Sequence, residues 1–155
     1  MSRIRRPTAR SGMGSPALRE PATQIVEVAA GLVFRNGKLL ITQRRLTDHL
    51  GGLWEFPGGK REGDESFEAC LERELGEELG IKVSVGKLVA NVIHQYPEKK
   101  VHLKFFQCGW SRHEPQAIGC NAFAWVDRER LAAYKFPAAD SQLIARLQTS
   151  SALWR

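Results

Sequence analysis

The sequence predicts an α/β fold, in which a mixed β-sheet lies between helices as an α/β/α sandwich. Several short segments are rich in the β-branched and aromatic residues typical of strands. One amphipathic helix is predicted in the middle of the chain and another near its end. A length of 155 residues, of which 43% are hydrophobic, fits a single domain with its own core.

The predicted strands share high β-propensity and are bounded by turn or loop residues. They are residues 24–34, 38–43, 53–56, 82–94, 100–110 and 122–126. Asn36-Gly37 predicts a hairpin turn between the first two strands, and Tyr96-Pro97-Glu98 predicts a turn later in the chain. Residues 44–52 are polar and are expected to form a loop.

The central helix is predicted over residues 66–79. Ser66 suits the N-cap, because its hydroxyl can accept a hydrogen bond from a free backbone N–H of the first turn. Gly80 suits the position after the last turn. Apolar residues at helical spacing predict a stripe that packs on the sheet. They are Phe67, Leu71, Leu75 and Leu79.

Two shorter helices are predicted in the last part of the chain. Asp127 is expected to cap the first, over residues 128–134. Asp140 or Ser141 is expected to begin the second, over residues 142–148. The folded domain is therefore expected to span residues 24–150.

Residues 1–23 are predicted to form a disordered basic tail, because they are rich in Arg, Ser, Pro and Gly and poor in large apolar residues. The basic residues of this tail are Arg3, Arg5, Arg6, Arg10 and Arg19. Three other interpretations stay open. The segment is Arg-rich like an organelle transit peptide, although its prolines oppose an amphipathic helix. It also suits weak contact with nucleic acid, and Met13 is an alternative translation start.

The three cysteines argue against an extracellular protein. Cys70, Cys108 and Cys120 are odd in number and lack CxxC spacing, so they predict neither a disulfide framework nor a zinc site. A reducing cytoplasm is therefore expected. No apolar run approaches the roughly 20 residues that a membrane helix needs, so no membrane partner is expected. We also expect a monomer without a stable nucleic-acid partner.

Three glutamates of the central helix have a spacing that predicts a metal site. At about 100° per residue, Glu74, Glu77 and Glu78 lie on one side of the helix. Neighbouring carboxylates raise one another's pKa unless a cation lies among them. Oxygen ligands suit a hard ion, so Mg²⁺ is expected, with Mn²⁺ as a substitute. A solvated helix face is the alternative, but Arg73 and Glu65 beside the cluster favour a supported metal site.

The segment before this helix predicts a close approach of the backbone to a ligand. Gly58 and Gly59 lack side chains, so the carbonyl of Gly58 is a further candidate metal ligand. The sequence contains no Gly-x4-Gly-Lys-Ser/Thr pattern, which excludes a phosphate loop of the Walker type.

These motifs resemble the Nudix hydrolases, and within them the MutT-like branch. Every fixed position of the Nudix box is present between Gly59 and Ile81, including Arg73-Glu74-Leu75-Gly76-Glu77-Glu78. The lead-in at residues 53–60 and the segment at residues 136–140 also look like those of the branch. The resemblance implies a Nudix α/β/α sandwich and Mg²⁺-dependent attack of water on a nucleoside triphosphate. The products would be a nucleoside monophosphate and pyrophosphate.

Matched residue by residue, the resemblance implies a role for each motif position. The metal ligands would be Glu74, Glu77, Glu78 and the Gly58 carbonyl, and one of these glutamates, or a water that they orient, would act as general base. Arg73 and Glu65 complete the expected catalytic set. The expected substrate-binding residues are Arg44, Phe56, Gly59, Lys60, Lys99 and Asp140. Arg44 and Lys99 could instead be solvated surface cations.

Two positions depart from the branch. Gly119 stands where relatives carry a further metal-binding glutamate, so a fourth carboxylate is missing unless Glu98 or Asp127 replaces it. Asp140 stands where enzymes that remove 8-oxoguanine nucleotides usually carry asparagine. Ionised aspartate only accepts hydrogen bonds, which suits the adjacent donors of guanine or the amine of cytosine. A role of Asp140 as a helix N-cap is equally open.

The resemblance favours a pyrophosphohydrolase of oxidised nucleoside triphosphates such as 8-oxo-dGTP, acting in nucleotide-pool sanitisation. A close alternative keeps the chemistry and changes the base to that of CTP, dCTP or methyl-dCTP. A non-catalytic reader of 8-oxoguanine is a third possibility, which the intact glutamates oppose because a reader needs no metal ligands.

Overall fold

The structure is a computed structural model that describes residues 24–155, so the expectations for residues 1–23 lie outside the described residues. The strands and α-helices are β1 (Ile25–Arg35), β2 (Lys38–Gln43), β3 (Trp54–Glu55), β4 (Gly58–Lys60), α1 (Phe67–Leu79), β5 (Lys82–Gln95), β6 (Lys100–Arg112), β7 (Ala122–Val126) and α2 (Ser141–Thr149). Short 3-10 turns lie at Leu131–Ala133, Ala138–Asp140 and Ser151–Trp154. No helix within residues 24–155 is long and apolar enough to cross a membrane.

The strands form one mixed sheet, as predicted. Its main path has the order β3-β2-β1-β6-β5, while β4 pairs with β1 and β7 pairs with β2. Strands β1 and β6 run parallel, and the other pairs are antiparallel. The central strand β1 therefore contacts the hairpin partner β2, the segment β4 before α1 and the distant strand β6.

Each face of the sheet has its own hydrophobic core. On one face, Leu71, Leu75 and Leu79 of α1 pack in a cluster with Ala29 and Val33 of β1. The cluster on the other face includes residues from α2 and the C-terminal turn together with residues from β1, β2 and β6. These residues are Leu143, Leu147, Leu153, Trp154, Leu32, Leu39, Ile41 and Phe105. The α/β/α sandwich predicted from the sequence is confirmed.

Local sequence signals define the ends of α1 and the first hairpin. The Ser66 hydroxyl accepts a hydrogen bond from the Ala69 N–H at 3.0 Å. Gly80 has a left-handed backbone (φ 67°), and its N–H donates to the Gly76 carbonyl at 3.0 Å, which ends the helix. Asn36 and Gly37 have positive φ angles of 52° and 71°, as a two-residue hairpin turn requires.

The structure differs from the sequence prediction in three places. Strand β4 was not predicted, because its glycines have low strand propensity and pairing with Val28, Ala29 and Ala30 of β1 forms it. The helix predicted over residues 128–134 is wrong. Asp127 Oδ1 does accept from the Arg130 N–H at 2.9 Å, but only a 3-10 turn, Leu131–Ala133, follows.

The third difference lies at the C-terminal end. The packed structure continues past residue 150, because Leu153 and Trp154 are each only 8% exposed. The Trp154 indole N–H donates to the Leu147 carbonyl at 2.8 Å, and the ring meets Phe34 edge-on. The last turn is therefore part of the core beneath α2.

Candidate active site

A cleft of about 390 Å³ connects the glutamates of α1 with the start of α2. Its lining includes Gly58, Gly59 and Lys60 of β4 and Glu74 and Glu78 of α1. Residues close to α2 and to the turn after β5 also line it, namely Tyr96, Lys99, Pro137, Ala139 and Asp140. Val28 of β1 and Leu103 and Phe105 of β6 supply apolar lining.

β4 passes so close to β1 and α1 that a Cβ atom at Gly58 or Gly59 would force a neighbouring group to move. A Cβ atom added to Gly58 would lie 1.9 Å from the Ala29 carbonyl oxygen. A Cβ atom added to Gly59 would lie 2.2 Å from the Glu74 carboxyl carbon. The predicted close approach of the backbone is thus present, and it places the strand directly against the Glu74 side chain.

Arg73 connects the loop before α1 with the glutamates of that helix. Its guanidinium binds both carboxylate oxygens of Glu65, at 3.0 and 2.7 Å. The Nη1 group also donates to Glu74 at 2.9 Å and to Glu77 at 3.2 Å, and Nη2 donates to the Lys60 carbonyl at 3.1 Å. Hydrogen bonding to Arg73 lowers the pKa of Glu65 to about 2, so this pair stays ionised. Arg73 and Glu65 therefore hold β4, the loop and α1 together.

The glutamate cluster, defined as Glu74, Glu77 and Glu78, is unequally exposed. The side chain of Glu74 is 13% exposed and that of Glu77 is 61% exposed. Burial, together with the charges of Glu55 and Glu74, raises the pKa of Glu78 to about 8. Burial is also the main cause that raises the pKa of Glu74. Burial and neighbouring carboxylates thus disfavour the charged forms of Glu74 and Glu78.

A bound cation would need a change in the side chains of the glutamate cluster. Within residues 24–155, no group of three or more His, Cys, Asp or Glu side chains is arranged so that it could hold a metal ion. Two of the predicted ligands, Glu74 and Glu77, instead accept hydrogen bonds from Arg73 Nη1. The donor chemistry still fits Mg²⁺, because the cluster offers carboxylate oxygens beside the backbone of Gly58. The raised pKa of Glu78 also shows an environment that a cation would relieve.

Glu55 is a cleft residue that the sequence reasoning missed. It lies in β3 opposite Thr42, and its carboxylate accepts from Arg44 Nη1 at 3.0 Å. Its negative charge raises the pKa of Glu78 and of Asp140, so it is electrostatically coupled to both carboxyl groups. Strand alternation could have predicted its orientation. Trp54 packs in the core beside α2, and successive side chains of a strand point to opposite faces, so Glu55 must face the other side.

Most of the predicted substrate-binding residues line the cleft. Arg44 lies there with its Nε donating to the His49 carbonyl at 2.7 Å, so it is not a free surface cation. Lys60 and Lys99 both line the cleft. Phe56 is 4% exposed and stacks on Phe136, with ring centroids 5.1 Å apart. Its ring is therefore a fixed wall of the cleft.

The structure does not support a capping role for Asp140. The residue occupies the N-cap position of α2, but its side chain forms no capping hydrogen bond. It is 6% exposed and lines the cleft. Burial, reinforced by the charge of Glu55, raises the pKa of Asp140 to about 7. Its carboxyl group is thus available to a ligand, in either protonation state near neutral pH.

Gly119 packs against α1, so a side chain at this position would crowd Glu78. Its N–H donates to the Glu78 carbonyl at 2.9 Å, and an added Cβ would lie 3.0 Å from Glu78 Cγ. Neither Glu98 nor Asp127 lines the cleft. The carboxylate that lies near Glu78 is instead Glu55, from the opposite side of the cleft.

Comparison with known proteins agrees with this geometry. Residues 29–146 match the model of the NUDIX domain family. The CTP pyrophosphohydrolase of Escherichia coli (strain K12) is 37% identical over 121 residues, covering 78% of this chain and 90% of that protein. The 8-oxo-dGTP diphosphatase of Proteus vulgaris is 44% identical over 82 residues, covering 52% of this chain and 73% of that protein.

The fold is also found in a solved structure. The crystal structure of the MutT protein from Methanosarcina mazei Go1 superposes with a TM-score of 0.73 at 25% identity, covering 81% of this chain and 94% of that chain. The resemblance derived from the box and its flanking segments is confirmed. The chain belongs to the NUDIX family and is a Nudix hydrolase.

Proposed function

We propose that this enzyme is a Mg²⁺-dependent nucleoside triphosphate pyrophosphohydrolase that acts on oxidised nucleotides such as 8-oxo-dGTP. The observation that carries the proposal is a single cleft that is lined by Glu74 and Glu78 of α1 and also by Asp140. A bound nucleotide would place its phosphates beside the glutamates and its base beside Asp140. Relatives that act on 8-oxo-dGTP and on CTP support this class of substrate.

The part of the cleft beside the glutamates would bind the phosphates and the metal. Glu74, Glu77, Glu78 and the Gly58 carbonyl would hold Mg²⁺, for which Mn²⁺ could substitute. Bound there, the ion would neutralise charge on the phosphates and acidify the attacking water. Lys60 and Arg44 line this cleft and would bind phosphate oxygens.

The proton of the attacking water needs an acceptor among the glutamates. Glu77 is the most exposed of the three, so it is the residue that we assign as general base. Arg73 already contacts Glu65, Glu74 and Glu77, so it would position the carboxylates without contacting the substrate. Gly59 would let the substrate approach β4 closely.

The part of the cleft beside Asp140 would bind the nucleobase. Phe56 forms an apolar wall there, and Lys99 and Asp140 supply polar groups. Ionised Asp140 would accept from base N–H groups, and its protonated form would also donate. Cytosine nucleotides are the second candidate, favoured by the 37% identity to the CTP pyrophosphohydrolase. We place the reaction in the cytoplasm and expect the enzyme to act as a monomer.

The test measures pyrophosphate release in Mg²⁺ from 8-oxo-dGTP, dGTP, CTP, dCTP, methyl-dCTP and ADP-ribose. A much higher kcat/KM for 8-oxo-dGTP than for dGTP is expected. Preference for the cytosine nucleotides would instead support the second candidate, a pyrophosphohydrolase of cytosine nucleotides. No turnover on any triphosphate would overturn the proposal. Asp140→Asn is expected to change the ranking of these substrates more than the rate on any one of them.

A further inference from the structure

Tyr96 is held in a fixed position in the lining of the cleft. It is half-buried, and its ring meets His94 edge-on at a centroid distance of 4.6 Å and His49 at 6.0 Å. The turn that carries it is braced by hydrogen bonds. Its N–H donates to the Lys99 carbonyl at 2.8 Å, and Gln95 Nε2 donates to its carbonyl at 2.7 Å. The ring therefore packs against two imidazole rings, and hydrogen bonds brace its turn.

The Tyr96 hydroxyl and the Asp140 carboxyl both lack a hydrogen-bond partner among the described residues, and both residues belong to the cleft. Neither group is hydrogen-bonded to another side chain or backbone group within residues 24–155. Both residues line the cleft. Burial raises the pKa of Tyr96, and the negative charge of Asp140 raises it further, so the two groups are within electrostatic reach. A ligand that satisfies both must present a hydrogen-bond acceptor beside donors.

We propose that Tyr96 is a specificity-determining residue that reads the edge of a guanine-type base together with Asp140. The hydroxyl would donate to the O6 carbonyl, while the carboxylate would accept from N1–H and the exocyclic amine. Cytosine has one amine donor beside two acceptors, so it would leave part of this pair unsatisfied. The inference rests on the proposed function, which it deepens by choosing guanine-type over cytosine nucleotides.

The chain contains a matched control for this residue. Tyr134, the other tyrosine, packs edge-on against Trp54 at 4.8 Å and does not line the cleft. Tyr96→Phe and Tyr134→Phe remove the same hydroxyl group and keep the ring. Comparison of the two variants therefore separates loss of a base contact from loss of a tyrosine hydroxyl in general.

The experiment measures kcat and KM of both variants on 8-oxo-dGTP and dCTP in Mg²⁺. Loss of one base contact is expected to lower kcat/KM of Tyr96→Phe on 8-oxo-dGTP by about three- to tenfold, through a higher KM. The value for dCTP should change by less than about twofold, and Tyr134→Phe should match the wild type on both. Equal losses on both nucleotides, or no loss on either, would overturn the assignment of Tyr96.

A binding measurement separates this inference from the proposed function. Calorimetric titration of wild type and Tyr96→Phe with 8-oxo-dGMP and dCMP does not depend on turnover. If the wild type hydrolyses no triphosphate but binds 8-oxo-dGMP more tightly than Tyr96→Phe does, the proposed function fails and the inference stands. If both proteins bind the two monophosphates equally, or bind neither, the inference fails whatever the turnover.

Discussion

Glu77 is the residue of the glutamate cluster whose charge can be removed at least cost to the fold. Its side chain is 61% exposed, and Arg73 contacts it at 3.2 Å. We therefore expect Glu77→Gln to lower kcat by about two to three orders of magnitude without changing the melting temperature or the circular dichroism. Glu72→Gln is the matched control, because Glu72 is exposed on the same helix and lies outside the glutamate cluster. Near-normal turnover of Glu77→Gln would remove Glu77 from the mechanism.

Asp140 makes the stability of the ligand-free protein depend on pH. Its pKa is about 7 in the fold, mainly because of burial, and 3.8 is the ordinary value. Between these values the folded protein keeps a proton that the unfolded chain has released. The folded state therefore binds more protons than the unfolded state does. Because of this, the contribution of Asp140 to the free energy of unfolding decreases as pH rises between these two pKa values.

Asp140→Asn should therefore gain stability relative to the wild type as pH rises. Melting temperatures of both proteins, measured without nucleotide or metal from about pH 4 to pH 8, give the difference directly. Asp64→Asn is the control for removal of a carboxyl group, because Asp64 is exposed and lies outside the cleft. A pH-independent difference for Asp140→Asn would show that the carboxyl is not buried as described.

At the scale of elements, β4 and α1 depend on glycine to different degrees. An added Cβ at Gly59 would collide with the Glu74 carboxyl, whereas one at Gly76 of α1 meets no atom within 4 Å. Gly59→Ala should thus displace Glu74 and lower kcat by more than tenfold, about 1.4 kcal/mol. Gly76→Ala should stabilise the protein by up to about 1 kcal/mol through helix propensity and keep its turnover. Equal activity of the two variants would contradict the close approach of β4 to Glu74.

The sequence predicts elements well where their signals are local. Ser66 and Gly80 define α1 because each acts within one turn of the helix, and Asn36-Gly37 defines the hairpin in the same way. Strand β4 depends on pairing with residues near position 29, and its own glycines carry no strand signal. Asp127 begins a turn as expected, but nothing in the residues after it extends the turn into a helix.

The residues of the candidate site also differ in whether local sequence signals can predict them. The spacing of Glu74, Glu77 and Glu78 is a property of one helix, so their shared face follows from the sequence. Glu55 and Tyr96 enter the cleft from β3 and from the turn after β5, and only the three-dimensional fold brings them to Asp140. The sequence could not decide whether Asp140 caps α2 or faces a ligand, because both roles use the same position. The structure shows no capping hydrogen bond from its side chain.

At the scale of the whole molecule, the two ends of the chain should differ in importance. Every described residue that lines the cleft lies between Val26 and Asp140, so deletion of residues 1–22 should leave turnover and melting temperature unchanged. Deletion of residues 151–155 removes the buried Leu153 and Trp154. Loss of one large buried side chain costs about 3–5 kcal/mol, so this truncation should lower the melting temperature steeply. Thermal melts of the two truncated proteins test both statements, and a large loss of turnover without residues 1–22 would contradict the first.

The parallel pairing of β1 with β6 has a consequence for the chain during its synthesis. The pairing joins Ile25 to Lys100 and continues to Phe34 with Gly109, so strand β1 waits for a partner that is made about 75 residues later. At 5–20 residues per second, the wait on the ribosome is roughly 4 to 15 seconds. During that time β1 has an open edge that includes Ala29, Leu32 and Val33, which are completely buried in the finished fold. Nascent chains on neighbouring ribosomes carry the same open edge, so crowded translation is the stage at which this protein is most exposed to aggregation.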